Sequence, residues 1–329
     1  MKKEIIIGVC LLAVIIAGMI VFIPGYQSLV TGAENSTVGQ PSPTLTAESS
    51  EIAGRISHNV ALNPSLSMAG GAKETKKILV YKTLPPIVTN ETTLDYAKKF
   101  NVTGTLRGGA VVQSKDLRYG IEISKNSGSI RYVDQDRPNK RMDAPEKLPT
   151  DDEAVKIATK FLKDRDLYPE GAAFSKIFRE NAINVGGGEY EKVMFGQIGI
   201  WFNRTLNGMK VDGTQLVVYV GGNGDVIGYY ANWRNYEPYK EYPITPPQVA
   251  FDKLKTKGIP VGMNNPDTSA SIDEMYLAYE TTAGAYKEDY LKPVWVFKGN
   301  VMVDGKSAMP IEQYIPALTD ESMKSLSLS

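Results

Sequence analysis

Thr150-Asp151-Asp152-Glu153-Ala154-Val155-Lys156-Ile157-Ala158-Thr159-Lys160-Phe161-Leu162 is the stretch from which the fold is read. Thr150 and Glu153 form a capping box, in which hydroxyl and carboxylate each accept from a free backbone N–H at the helix start. Ala154, Ile157, Ala158, Phe161 and Leu162 then recur at helical spacing, which predicts an amphipathic helix with one buried face. A second box, Thr245-Pro246-Pro247-Gln248, predicts another helix through Ala250, Phe251 and Leu254, ending at Gly258 and Pro260. A weaker pattern from Thr93 to Phe100 places Leu94, Ala97 and Phe100 on one side.

Strand-like runs separate these helices. Met194–Leu206, Gln215–Val220 and Val226–Trp233 are joined by Asn207-Gly208 and Asn223-Gly224, both hairpin signals. Ile272–Glu280, Tyr290–Lys298 and a run closing at Tyr314 are interrupted by Asp304-Gly305. Earlier in the chain, Gly104–Val112, Leu117–Ser124 and Ser129–Val133 carry the Ser127-Gly128 turn. Gly128 and Gly224 are 96 residues apart, and Thr150 and Thr245 are 95 apart. That spacing predicts an α+β fold of repeated units, each one helix plus an antiparallel β-meander.

The capped helix, the Asn-Gly before a strand, the Gly-x-Gly turn and the Trp/Tyr-rich passage into the next Thr-initiated helix resemble the PepSY-like and YycH/YycI-like superfamily of extracytoplasmic modules. The resemblance covers mainly Leu148 to Phe297, including Leu291-Lys292-Pro293-Val294-Trp295-Val296-Phe297. It implies a PepSY-like fold outside the cell and a regulatory, binding or sensing role without catalysis.

The N-terminus carries its own signal. Lys2 and Lys3 precede an uncharged apolar run from Ile5 to Ile23, nearly enough helix for a hydrocarbon core of roughly 30 Å. The cationic flank predicts a single-pass anchor over residues 1–25, with the N-terminus cytoplasmic and the remainder outside. A cleaved signal peptide ending near Thr31-Gly32-Ala33 is the competing reading, and a lipoprotein reading at Cys10 lacks a small residue before the cysteine. Residues 26–75, rich in Ser, Thr, Pro and Gly, predict a flexible stalk. The expected folded part is a first α+β unit over 76–147 and tandem second and third units over 148–329.

Composition narrows the chemistry. Lys and Arg total 37 against 37 Asp and Glu, so no basic excess points to nucleic acid. The sole cysteine, Cys10, lies in the apolar run and the sole histidine, His58, in the stalk. Disulfides, Cys or His zinc sites and Ser-His-Asp hydrolysis are thereby excluded from the folded part, and no cofactor is expected. A carboxylate-based enzyme acting on envelope polysaccharide survives that filter, as does a structural cell-surface component.

Gly222-Asn223-Gly224 reads as a hairpin, because a nucleotide-binding loop must open a helix. Gly186-Gly187-Gly188 reads as a connection before a strand. Asp134-Gln135-Asp136-Arg137-Pro138-Asn139 offers spaced oxygens but lacks the glycine and terminal glutamate of a calcium loop. Tyr230, Trp233, Tyr236, Tyr239 and Tyr242 recur every third residue and are the partner-binding candidates, against the alternative that they cover sheet and helix edges. The expected partner is a cell-envelope protein or glycan. Asn35, Asn90, Asn101 and Asn203 stand in glycosylation sequons.

Overall fold

The computed structural model describes residues 54–56, 59–68, 75–136, 147–186, 189–261 and 268–327. The chain divides into two compact units, and nearly all described residues belong to the larger, formed by 55–260 and 265–329.

In chain order the strands are β1 (Gly54–Ile56), β2 (Val60–Met68), β3 (Lys77–Thr83), β4 (Gly104–Arg107), β5 (Val111–Ser114), β6 (Tyr119–Ile123) and β7 (Ile130–Asp134). They continue with β8 (Ala172–Gly186), β9 (Glu189–Leu206), β10 (Met209–Val220), β11 (Val226–Asn232), β12 (Tyr236–Pro243) and β13 (Ile259–Val261). The last are β14 (Thr268–Glu280), β15 (Tyr290–Val303) and β16 (Lys306–Pro316). The α-helices are α1 (Asn90–Lys99), α2 (Asp151–Asp164), α3 (Pro247–Lys257) and α4 (Asp320–Ser327).

The expected repeat of helix plus β-meander is not the architecture. One 14-stranded sheet runs β12-β3-β15-β14-β10-β11-β7-β6-β5-β4, with β16, β2, β9 and β8 branching from it. It is mixed, since β14 runs parallel to both β10 and β2. Strands assigned to separate meanders therefore hydrogen-bond to one another. Period counting locates helices and turns, but pairing between distant strands is decided by register and burial.

Residues 5–23 lie outside the described residues, and among those described no helix is long and apolar enough to cross a membrane. Within the expected stalk, Gly54–Ile56 and Val60–Met68 are strands, and β2 pairs with β14. His58, Asn35 and Gly187-Gly188 also lie outside the described residues.

Local chemistry places the helices. At α2 the Thr150 Oγ1 accepts from Glu153 N at 3.4 Å and Glu153 accepts from Thr150 N at 2.9 Å, as expected. The same reciprocal pattern opens α1 earlier than expected, between Thr89 and Thr92, with threonine in the usual glutamate position. At α3 the expected box does not form. Thr245 N donates to Ala317 O and its own O accepts from Trp295 Nε1 at 2.9 Å, so Thr245 is held by the C-terminal segment and Pro246 becomes the N-cap.

The main core lies beneath α1 and α2. Ala154, Ala158, Phe161 and Leu162 pack with Ile198, Ile200, Leu216, Val218 and Tyr229, and Phe100 joins them from the end of α1. The Phe100 ring stacks 4.8 Å from Tyr132 and lies 5.8 Å from Phe161. The hairpin signals behave as read: Asn207, Gly208, Asn223, Gly224, Asp304, Gly305 and Gly128 all have positive φ.

Candidate functional site

Register across the sheet defines the site. Phe178 pairs with Gly199, Gly199 with Tyr219, Tyr219 with Gly228, Gly228 with Val133, and Val133 with Gly120. Two residues along each strand, Lys176, Trp201, Val217, Tyr230, Arg131 and Glu122 form a second row in the same way. Directly paired residues share a face, and alternate residues return to it. Both rows therefore occupy the face opposite α1 and α2.

Glycines shape this face. A Cβ on Gly228 would meet Tyr219 Cδ2 at 3.1 Å, and one on Gly199 would meet Tyr219 Cε1 at 3.4 Å and Trp201 Nε1 at 3.3 Å. The two edges of the Tyr219 ring therefore lie beside both glycine positions, where a side chain on either would crowd it. Trp201, Tyr219 and Tyr230 are half-buried, and Phe178 at the outer strand is 45% exposed. Trp201 Nε1 is buried without a hydrogen-bond partner among the described residues, while Lys176 Nζ stands 4.9 Å above the indole.

The loop 281–289, between β14 and β15, lies against one side of this floor. Gly284 sits so close that a Cβ there would meet Ser129 Oγ at 2.6 Å and Tyr230 Oη at 2.7 Å. Ser127 donates to Gly284 O, Asn126 Nδ2 to Ala285 O at 3.0 Å, and Asn232 Nδ2 to Thr282 O at 3.0 Å. Arg234 Nη2 donates to Ala283 O at 3.1 Å and Tyr286 O at 2.8 Å. Glu288 accepts from Thr282 N at 2.6 Å and from Tyr236 Oη at 3.0 Å. The loop thus spends its polar backbone on side chains of β11, the β6–β7 turn and the β11–β12 connection, and presents Tyr286, 59% exposed, at its outer edge.

The aromatic series is dispersed by this arrangement. Tyr230 is in the floor. Trp233 and Tyr236 flank the buried Arg204, whose guanidinium lies 5.1 Å and 4.9 Å from their ring centres. Burial lowers the Arg204 pKa, with Tyr236 and Glu288 opposing that shift. Burial and Glu288 push the Tyr236 hydroxyl above its ordinary range. Tyr239, 41% exposed, falls between two register positions of β12 and packs 5.2 Å from Tyr290. Tyr242 is buried. A three-residue period matches neither face of a strand, so it scatters the rings instead of aligning them. Asn90 and Asn101 are exposed and Asn203 is half-buried.

The other candidates resolve locally. Asp134 receives both Arg118 Nε at 3.1 Å and Arg118 Nη2 at 2.9 Å, so its oxygens are engaged by a bidentate cation. Among the described residues no group of three or more His, Cys, Asp or Glu could hold a metal ion. A groove of about 430 Å³ beside β16, lined by Lys253, Lys257, Ile315, Leu318 and Met323, adjoins a protected strand edge. There Tyr314 O accepts from Lys257 Nζ and Glu312 O from Gln313 Nε2, while Pro310 and Pro316, of the same parity, have no N–H to offer.

No family model matches the chain, and no curated protein does. The chain is similar to the crystal structure of an uncharacterized protein from Eubacterium rectale, at 14% identity and a TM-score of 0.44 over 79% of this chain and 90% of that one. A likeness so distant carries no argument about function.

Proposed function

We propose that this chain is a non-catalytic binding module, displayed on the outer side of a membrane through residues 5–23, that engages an envelope ligand with the sheet face around Trp201, Tyr219 and Tyr230. The observation that carries this reading is that the half-buried Trp201, Tyr219 and Tyr230 share one face of the sheet, with Tyr219 between Gly199 and Gly228. Amphipathic rings give large contact area at small entropy cost, and a fixed loop beside them removes the ordering cost of a mobile wall. The regulatory role implied by the PepSY-like resemblance is compatible with such a module. Display outside the membrane rests on the Lys2-Lys3 flank and the apolar run.

The buried carboxylates support binding over catalysis. Glu288 is engaged by Thr281, Thr282 and Tyr236, Asp134 by Arg118, and Asp212 by Lys210. Each is committed to its own chain's loops and strands.

Photo-crosslinking from a benzophenone amino acid at position 219, on intact cells, tests the reading. The expected result is a discrete adduct on the cell envelope that is lost when the crosslinker is moved to Lys156, on the exposed side of α2. Equal, diffuse labelling from both positions would sink it. Protease added to the same cells should remove the folded part, and protection would defeat the outward orientation.

A further inference from the structure

We propose that Arg204 anchors a second site, which binds the carboxylate of an organic ligand; it is separate from the sheet face around Tyr219 and does not depend on that reading. Arg204 lies on β9, paired with Ala172 and Val211, and shares the face of the core residue Phe202, opposite that of Trp201. It is only 8% exposed, yet no Asp or Glu among the described residues stands within ion-pair distance of it. Taking a guanidinium out of water without a carboxylate in contact is costly. Part of that cost is offset locally. Nη1 donates to Arg234 O at 2.6 Å, and the rings of Trp233 and Tyr236 flank the guanidinium at 5.1 and 4.9 Å. The charge of Glu288 acts on it from farther away, but Glu288 is already engaged by Arg234, Thr281, Thr282 and Tyr236. Two buried guanidiniums thus stand beside one buried carboxylate, and one positive charge is left unmatched.

The unused part of Arg204 has the geometry of a carboxylate clamp. With Nη1 bonded to the backbone, Nε and Nη2 donate to nothing among the described residues, and neither is sealed from solvent in the way Arg234 Nε is. These two N–H groups form one edge of a planar fork whose spacing matches the two oxygens of a carboxylate. Trp233 and Tyr236 are half-buried, so they reach the surface beside the fork and offer apolar walls to the body of a ligand. The nearby charge of Glu288 favours a singly charged group over a phosphate dianion.

The test titrates the full chain, in mild detergent at constant ionic strength, with sodium phenylacetate and N-acetylalanine, taking phenylacetamide and inorganic phosphate as comparators. Heat and tryptophan fluorescence follow binding. Saturable binding of at least one carboxylate is expected, with none of the amide and weaker binding of phosphate. The bound carboxylate should raise the melting temperature of the parent chain and leave that of Arg204→Met unchanged. Arg204→Lys, which keeps the charge and loses the fork, should weaken binding by about tenfold, the scale of one charge-assisted hydrogen bond. Trp233→Phe should remove the fluorescence response while the heat remains. Ligand-free melting curves show which variants are folded, and Arg204→Lys carries the test if Arg204→Met does not fold. The proposal is overturned if neither carboxylate saturates, if phosphate binds at least as tightly, or if Arg204→Lys binds like the parent. Arg204 is then a structural cation held by Trp233, Tyr236 and Glu288. None of these outcomes bears on crosslinking from position 219, so the two readings stand or fall apart.

Discussion

Arg234 Nε and Glu288 Oε1 lie 3.8 Å apart, with the two side chains 1% and 4% exposed. The separation is within ion-pair range but too long for a hydrogen bond, in keeping with Arg234 Nε having no hydrogen-bond partner among the described residues. The pair is a buried staple: Arg234 leaves the end of β11 and holds the carbonyls of 283 and 286, while Glu288 fixes the start of the same loop through Thr281 and Thr282.

Removing one member should therefore be costly, because the other is left charged and dry. Arg234→Ala is expected to destabilise by about 3–5 kcal/mol, and denaturant unfolding measures it. Arg234→Met combined with Glu288→Leu, which removes both charges and keeps volume, should recover part of that loss. Equal destabilisation by the single and double variants would contradict a paired staple.

Phe161 joins α2 to the sheet, with Phe100 at 5.8 Å and the Arg165 guanidinium 4.3 Å over its ring. Phe161→Ala should cost about 3–5 kcal/mol as a core truncation. A change below 1 kcal/mol, on the order of a surface substitution, would show that α2 packs differently.

Asp273 gives the fold a pH dependence. Its pKa is lowered, chiefly by the Asn63 amide; burial, the next effect, opposes this, and Ser271 and Asn300 add to the lowering. Asn63 Nδ2 and Asn300 Nδ2 each donate at 2.9 Å, so the carboxylate ties β2 to β15. A depressed carboxylate contributes stability that is present above its unfolded pKa and lost as pH falls through the folded one. Melting temperature should thus fall on acidification through and below the ordinary carboxylate range, and Asp273→Asn should flatten part of that fall. An unchanged acid profile in Asp273→Asn would remove Asp273 as a source.

The edge of β16 is expected to be kept from self-pairing by its two prolines and the Lys257 cap. Pro310→Val together with Lys257→Ala exposes an extra N–H and frees the Tyr314 carbonyl. Light scattering should then show association at concentrations where the parent chain is monodisperse. A monodisperse double variant would assign the protection elsewhere.

Some of this molecule was legible residue by residue. The capping box at Thr150, the apolar spacing of α2 and the Asn-Gly turns with positive φ are set by groups within a few positions of each other. The box at Thr245 was misread because its atoms are taken by Ala317 and Trp295, 72 and 50 positions away. The dispersal of the aromatic series has a related reason: Tyr230, Tyr236 and Tyr242 are near in sequence, yet one lies in the floor, one beside the loop staple and one in the core.

What the sequence alone determined, then, is what neighbours along the chain decide: helix starts, tight turns, the apolar run at residues 5–23 and a chain without histidine or cysteine beyond residue 58. Only the tertiary structure decided that β10 meets β14 in parallel, that Tyr219 falls between Gly199 and Gly228, and that Arg234 finds Glu288. The physical reason is that strand register is a long-range quantity. Shifting a strand by one residue moves every side chain to the opposite face without changing its local propensity, so the floor exists only once six strands have chosen their partners.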